Sequence, residues 1–425
     1  MIKKALLISL SVISILHARD QVNIITLNGV INPVAKDFIH NAIEEAEQDS
    51  ANCLVIQMDT PGGLMESMHV IVKDIMASAV PVVVYVSPSG SRAASAGVFI
   101  TYAAHVAAMA PGTNIGAASP VTMGGAGADS TNQTMMKKVT NDAVALIRSV
   151  AEKRGRNADW AEDAVRKAVS ITETEALKLG VIQYIAPTLD SLLSMIDGTK
   201  VETATAIYVL KTKAAKRKHV EMSWRFKILD VISNPNIAYL LMFIGFWGIM
   251  FEIYNPGSVV PGVIGAICLI LGLYAMQSLP INYAGFVLIL LAIILFLLEI
   301  KIPSYGILTI GGVISMIFGS LMLFESPLPF LRASWKVIVA ATAVTALFFI
   351  FAVGLGIRAQ RKKPAIGREA LAGLIGKAEE NFKNGEGRVV VQGEIWQAFS
   401  SDKIKEGDSV KVIKKEGFKI QVEKV

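Results

Sequence analysis

Residues 237–356 constrain this chain more than any other stretch. They hold five long apolar segments, near 237–253, 258–277, 283–300, 305–324 and 335–356. Each has about 17–22 residues, roughly the length of helix that crosses a hydrocarbon core of about 30 Å. Backbone in lipid must satisfy its own hydrogen bonds, so these segments read as membrane helices, five spans in all. The chain as a whole is 53% hydrophobic and 18% charged, too apolar for one soluble globule. Its net charge of +6 is unevenly placed, with basic residues clustered at 211–227 and 358–363, on either side of the apolar tract. Such clusters flank membrane regions, which accounts for them better than nucleic-acid binding does.

The apolar tract repeats itself. Glu252 and Pro256 recur as Glu299 and Pro303, and Gly265 and Gly272 recur as Gly312 and Gly319, at an offset of 47 residues. Two span–turn–span hairpins in tandem follow from this, with glycines allowing close helix packing. Glu252 and Glu299 fall near span ends and read as interfacial or turn carboxylates rather than an intramembrane functional pair.

Before this tract the chain looks exported. Lys3 and Lys4 precede a short apolar run, 5–16, that ends near the small residue Ala18. That pattern predicts a signal peptide over 1–18. Cys53 falls in an expected buried strand and Cys268 in an expected span. No disulfide joins them on this reading, neither has a metal-ligand spacing, and no metal or cofactor is expected.

Residues 19–222 alternate strand and helix. A strand at 22–27 is followed by a helix that Asn32 caps and Pro33 opens, then by a continuously apolar strand at 53–58. This order predicts a layered α/β domain with a parallel sheet. Residues 122–134 are small and polar and read as a mobile loop that can act as a lid, with a helix from Met135 to Arg154 behind it. Thr172 and Glu175 form a capping box, and Gly180 ends that helix before a strand at 181–185. Residues 224–232 are amphipathic and suit a membrane surface. After a basic linker, 358–369, five short strands near 374–379, 388–391, 394–400, 409–414 and 418–423 predict a small all-β barrel of the OB type over 370–425. Its charges nearly balance, and Phe382, Trp396, Phe399 and Phe418 can all be core. Protein interaction therefore suits the barrel better than nucleic acid.

The candidate chemistry lies in 59–121. A Pro-Gly-Gly turn ends one apolar run, a helix and a second apolar run follow, and then comes Ser95 within Ala-Ala-Ser-Ala-Gly. Glycine lets backbone N–H groups approach a substrate carbonyl closely, so the amides of Gly63, Leu64 and Ala96 are candidate oxyanion donors for a Ser95 nucleophile. A serine nucleophile needs a base nearby. None of the five histidines, His17, His40, His69, His105 and His219, is well spaced for that role. Lys137 and Lys138, just past the polar loop, remain. A lysine acts as a base only when neutral, and helical neighbours point about 100° apart, so one of the two at most faces the site. Spacing does not choose between them.

These features together resemble the full-length NfeD family, membrane-bound serine proteases of the Clp class associated with stomatins. The resemblance rests on DTPGG (59–63), AASAG (93–97), MAPGTNIGAA (109–118), KVTN (138–141), EALKLGVI (175–182), GEIWQA (393–398) and EGDSVKV (406–412). It implies a Clp/crotonase-type domain and a Ser-Lys dyad of Ser95 with Lys138, the lysine in the family's K-hydrophobic-T-N context. Gly62 and Met109 are assigned to substrate binding. It also implies an ATP-independent endopeptidase acting on hydrophobic segments of stomatin-, prohibitin- or flotillin-type membrane proteins, in a homo-oligomer at the bilayer. Gln183 departs from the pattern, standing where related folds often carry Asp after Gly-Val-Ile. A crotonase-type acyl-CoA enzyme shares the oxyanion logic but would not need Ser95. A non-catalytic scaffold for stomatin-like proteins is the alternative from a different class. Five spans after an exported domain place the C-terminal barrel in the cytoplasm, with the basic residues at 358–363 on the same side.

Overall fold

The computed structural model of the chain describes residues 21–121, 130–276, 279, 281–302, 304–324, 326, 329–360 and 371–425. The expected signal peptide and most of the basic linker lie outside them. The chain divides into two compact units, one reaching to residue 294 and including 312–343, the other formed by 295–311 with 344–425.

The first unit opens with β1 (Gln21–Asn28), α1 (Pro33–Gln48), β2 (Cys53–Asp59), α2 (Met65–Ala77), β3 (Val82–Val86), β4 (Arg92–Ala93), α3 (Ala96–Ala103), β5 (Val106–Met109) and β6 (Asn114–Gly116). It continues with α4 (Ser130–Arg154), α5 (Ala158–Arg166), β7 (Ser170–Thr172), α6 (Glu173–Lys178), β8 (Tyr184–Ile185), α7 (Leu189–Met195), β9 (Lys200–Glu202), β10 (Ile207–Val209) and β11 (Lys216–His219). The main sheet has the order β11-β1-β2-β3-β5-β8, and every pairing in it is parallel. A small sheet, β4-β6-β7, stands beside it, and β9 pairs with β10 as a hairpin.

The apolar strands explain the layering. Along β2, Leu54, Ile56 and Met58 enter one core with the helices α1 to α5, while Cys53 and Val55 enter a second core with α7. A strand buried on both faces has no polar side to show, which is why it reads as a continuous apolar run. Asn32 caps α1 through its side-chain oxygen, which accepts the Ala35 N–H at 2.8 Å, and Pro33 occupies the first turn. Thr172 and Glu175 form the full capping box at α6.

Two expectations change here. Helix α4 starts at Ser130, so residues 130–134 are helical rather than loop, and 122–129 lie outside the described residues. Gln133, Thr134 and Met135 are exposed, so no apolar periodicity marks that turn. The strand expected over 181–185 shrinks to two residues because the Val181 and Ile182 amides both donate to the Ala176 carbonyl, closing α6 instead of joining the sheet.

A surface helix, α8 (Trp224–Ile232), leads into α9 (Pro235–Tyr254), α10 (Val260–Met276), α11 (Tyr283–Lys301), α12 (Ile307–Leu323) and α13 (Trp335–Gln360). Helix α9 is long and apolar enough to cross a bilayer, and the other four are apolar along most of their length. Helices α9 and α10 meet backbone to backbone. A methyl group on Gly248 would lie 2.8 Å from the Gly265 Cα, so only glycine fits there. The repeated carboxylates close the turns that follow them. Glu252 accepts from the Gly257 N–H at 3.2 Å and the Ser258 hydroxyl at 3.0 Å. Glu299 accepts from the Ser304 hydroxyl at 2.7 Å and from the Gly306 and Thr309 amides at 3.1 and 2.9 Å.

In the second unit β12 (Ile375–Ala378), β13 (Glu386–Val391), β14 (Glu394–Phe399), β15 (Ser409–Glu416) and β16 (Lys419–Lys424) close a barrel in the order β12-β13-β14-β16-β15. The β14–β16 pairing is parallel and the other four are antiparallel, which is the OB arrangement. Val389, Val391, Val410, Val412 and Ile420 fill it. Phe418 does not belong to that core. It is 93% exposed, because Gly417 places it in the tight turn between β15 and β16.

Candidate active site

Ser95 stands immediately before α3, with φ +52° and ψ −113°. A non-glycine residue at positive φ costs on the order of 1–3 kcal/mol and persists where surrounding structure holds it. Here the holding groups are visible. The Ser95 N–H donates to the Ala117 carbonyl at 2.6 Å, and the Ser95 carbonyl accepts from Val98 as the helix begins. The turn lifts the side chain to the edge of a cleft of about 70 Å³, which is lined by Gly63, Met65, Met68, Ala96, Phe99 and the segment 118–121 as well as Ser95.

Gly63 forms the opposite wall, with Gly62 just before it in the chain. Gly62 has φ +112°, and a methyl group there would sit 2.5 Å from the Ser95 Cβ. Its place is therefore behind the nucleophile rather than in the cleft, which corrects its expected contact with substrate. Gly63 lies against Ile31, where a methyl group would meet the Ile31 carbonyl oxygen at 2.2 Å. The Ile31 N–H donates to the Gly62 carbonyl, and the Leu64 N–H donates to the Ile31 carbonyl at 2.8 Å. That bond corrects the expected role of Leu64, since its amide is already engaged. The amides of Gly63 and Ala96 donate to no protein acceptor among the described residues, and both residues line the cleft. Met109 is also corrected. It is fully buried, because odd positions at the end of β5 face the helical core rather than the cleft.

Among the described residues no histidine lines this cleft. His40 is exposed, with Nδ1 3.0 Å from an Asp74 oxygen and Nε2 3.3 Å from a Glu44 oxygen. His105 is buried at the start of β5, where its Nδ1 accepts the Val82 N–H. Lys137 and Lys138 are exposed on α4, and neither lines the cleft. Helix α4 does pack in the same core as α3: Ala143, Val144 and Ile147 join Ala96 and Phe99 there. The cleft's apolar wall, Met65, Met68 and Phe99, was not singled out in the sequence. Met65 and Met68 sit three apart on α2 and so share a face. In the sequence such a pair reads as ordinary core.

Comparison with known proteins is decisive for the family. The NfeD1b N-terminal domain matches residues 21–214, the NfeD integral membrane domain residues 236–355, and the NfeD-like C-terminal, partner-binding domain residues 368–424. Membrane-bound protease PH1510 of Pyrococcus horikoshii is 36% identical over 95% of this chain and 93% of its own length. The chain belongs to the full-length NfeD family of membrane-bound proteases. Membrane protein NfeD1b of Bacillus subtilis is 29% identical over 91% of this chain and 89% of its own. Among solved structures, a mutant of the 1510-N membrane-bound stomatin-specific protease in complex with a substrate peptide is 34% identical. It covers 51% of this chain and 98% of that one, with a TM-score of 0.47. This NfeD protein therefore joins a layered α/β N-terminal domain, a helical membrane region and a closed barrel in one chain.

Proposed function

We propose that this NfeD-family protease is a serine endopeptidase in which Ser95 is the nucleophile and Lys138 the general base. The observation that carries the reading is the placement of Ser95. It is held at positive φ at the start of α3, facing a cleft that also receives the unengaged amides of Gly63 and Ala96. In the proposed mechanism Ser95 Oγ attacks the scissile carbonyl and gives its proton to neutral Lys138. The Gly63 and Ala96 N–H groups hold the oxyanion, and each such donor is worth about 10²–10³ in rate. The lysine then protonates the departing amine, and water attacks the acyl-enzyme by the reverse route. For the base, the support is that no histidine lines the cleft and that α4, which packs with the nucleophile's helix, carries Lys138 near its upstream end.

The cleft is narrow and walled by methionine and phenylalanine, which suits an extended apolar segment. We assign as substrate the hydrophobic segments of membrane-associated proteins of the stomatin, prohibitin or flotillin type, with the barrel as the partner-binding module.

The test is cleavage of casein and of an apolar peptide by wild type, Ser95→Ala, Lys138→Ala and Lys137→Ala. Ser95→Ala and Lys138→Ala are expected to lower kcat by about 10³-fold or more, whereas Lys137→Ala stays within about threefold. Unchanged cleavage by Ser95→Ala removes the nucleophile assignment, and equal losses in the two lysine variants remove the base assignment.

A further inference from the structure

The main sheet carries a second site at the end remote from Ser95. A pocket of about 320 Å³ opens where β5 and β8 begin, lined by His105, Lys153, Arg154, Gln183, Lys200 and Glu202 among others. Behind it lies Arg156, only 6% exposed. Its Nη1 donates to the carbonyls of Tyr102 and Ala104 at 2.6 and 2.8 Å, and its Nη2 to Gln183 Oε1 at 3.1 Å. Its Nε is buried without a partner. Arg154 donates to the Ala103 and Glu202 carbonyls at 2.8 and 3.4 Å. Among the described residues no carboxylate pairs with either guanidinium. The carboxylate in the pocket, Glu202, is 3.3 Å from the Lys153 ammonium instead.

Buried cations without a counter-charge are costly. Desolvation, together with the neighbouring guanidinium, pulls Arg156 down to about 9; desolvation pulls Arg154 down to about 10 against the opposing Glu202 carboxylate, so Arg156 is the cation that no carboxylate offsets. The polar side chain that reaches Arg156 from the pocket wall is Gln183, a neutral amide. Its Oε1 accepts from both the Ala107 N–H, at 2.8 Å, and Arg156. The amide meets the hydrogen bonds and leaves the charge unmet.

We propose that this pocket binds a phosphate-class oxyanion, whose charge offsets the buried Arg156 guanidinium that Gln183 meets only with a neutral amide. Donors for it line the pocket: the ammonium groups of Lys153 and Lys200, the Gln183 Nε2, and the hydroxyls of Thr199 and Tyr184, which lie 3.1 Å apart. A tetrahedral anion can accept from several such donors at once. The volume exceeds one phosphate and leaves room for an ester group. A soluble anion fits better than a lipid headgroup. The membrane helices meet this domain at Gly29 and Val30, past the C-terminal end of β1, whereas the pocket is at the N-terminal ends of the parallel strands.

The experiment is thermal unfolding of the detergent-solubilised full chain, titrated with inorganic phosphate or glycerol phosphate against chloride at constant ionic strength. Wild type is expected to show a saturable rise in Tm. Gln183→Glu, which supplies the carboxylate internally, is expected to melt higher without phosphate and to lose most of the response. Lys200→Ala, at an exposed position, is expected to need roughly tenfold more phosphate for half the effect. An equal response in wild type and both variants is what general salting by phosphate would give, and it overturns the proposal. So does no response in wild type, or a response to phosphatidylglycerol vesicles without one to phosphate.

Discussion

At the scale of single residues, His105 is a titratable group held largely away from water. Burial, with Arg154 and Arg156 adding to it, lowers its pKa to about 3, and the ring is placed so that its Nδ1 accepts the Val82 N–H. The unfolded chain holds this histidine near 6.5. Below that value the unfolded state takes the proton and the folded state refuses it. Stability is therefore complete above about pH 6.5 and falls as pH drops towards about 3, with a limiting slope of about 1.4 kcal/mol per pH unit from this one group. Lys153, Lys200 and Glu202 line the same pocket as the ring. Asp49, held below its ordinary range by Lys218, contributes its own acid loss at lower pH. His105→Asn retains an acceptor for Val82 without a titrating ring. It is expected to flatten the unfolding curve between about pH 6 and 4.5, and two parallel curves would refute this account. The same residue shows what sequence could and could not tell. Its exclusion as catalytic base was readable from its distance in sequence to Ser95. Its burial against two arginines was not, because Arg154 and Arg156 come from a helix end about fifty residues away. The tight turn at Ser95 before α3 was readable from its small-residue setting. The corrections at Leu64 and Met109 turned on a bridge to Ile31 and on strand phase, both long-range facts.

At the scale of elements, the repeated hairpins give the clearest case of a sequence signal with a physical cause. The offset that relates Glu252 to Glu299 relates two carboxylates with the same task, closing the turn after a span by accepting from its backbone and serine. The two copies differ in degree. Glu299 is 8% exposed and serves three donors, whereas Glu252 serves two donors in a turn open to water. Leaving a buried donor unsatisfied costs about 1–3 kcal/mol, and an exposed one rebinds water. Glu299→Ala is therefore expected to lower the melting temperature of the solubilised protein more than Glu252→Ala does. Glu299→Gln, which keeps one acceptor oxygen, should fall between Glu299→Ala and wild type. Equal shifts for the two alanine variants would mean that the turns are held by something else. The helices and barrel strands were legible because apolar period and turn glycines mark them. The first turn of α4 was not, since a polar, exposed helical turn carries no such mark.

At the scale of the whole molecule, the question is which charges report sidedness. The topology expected from the sequence, five spans after an exported domain, puts the C-terminal barrel in the cytoplasm, and Arg358 with the basic residues 361–363 agrees with that expectation. The basic stretch 211–227 would contradict this if it were all a loop beside the bilayer, but its central part is sheet. Lys216 to His219 form β11, the edge of the main sheet, paired in register with Gln21 to Ile24. Lys218 bonds to Asp49 at 2.6 Å and Glu45 at 2.8 Å, and Arg217 bonds to Asp190 at 2.5 Å. These cations belong to the folded N-terminal domain, and the positive-inside rule counts short loops beside the membrane rather than the charges of a folded domain. The topology then rests on the basic run after α13, and it can be measured. Externally added protease should remove the N-terminal domain from intact spheroplasts and spare an epitope on the barrel until the membrane is opened. Substituting the basic residues at 358 and 361–363 with glutamine should raise the fraction of chains with an accessible barrel, whereas substituting Lys213 and Lys216 should not. A barrel cleaved in sealed cells would require an even number of crossings, with one of the five apolar helices failing to span.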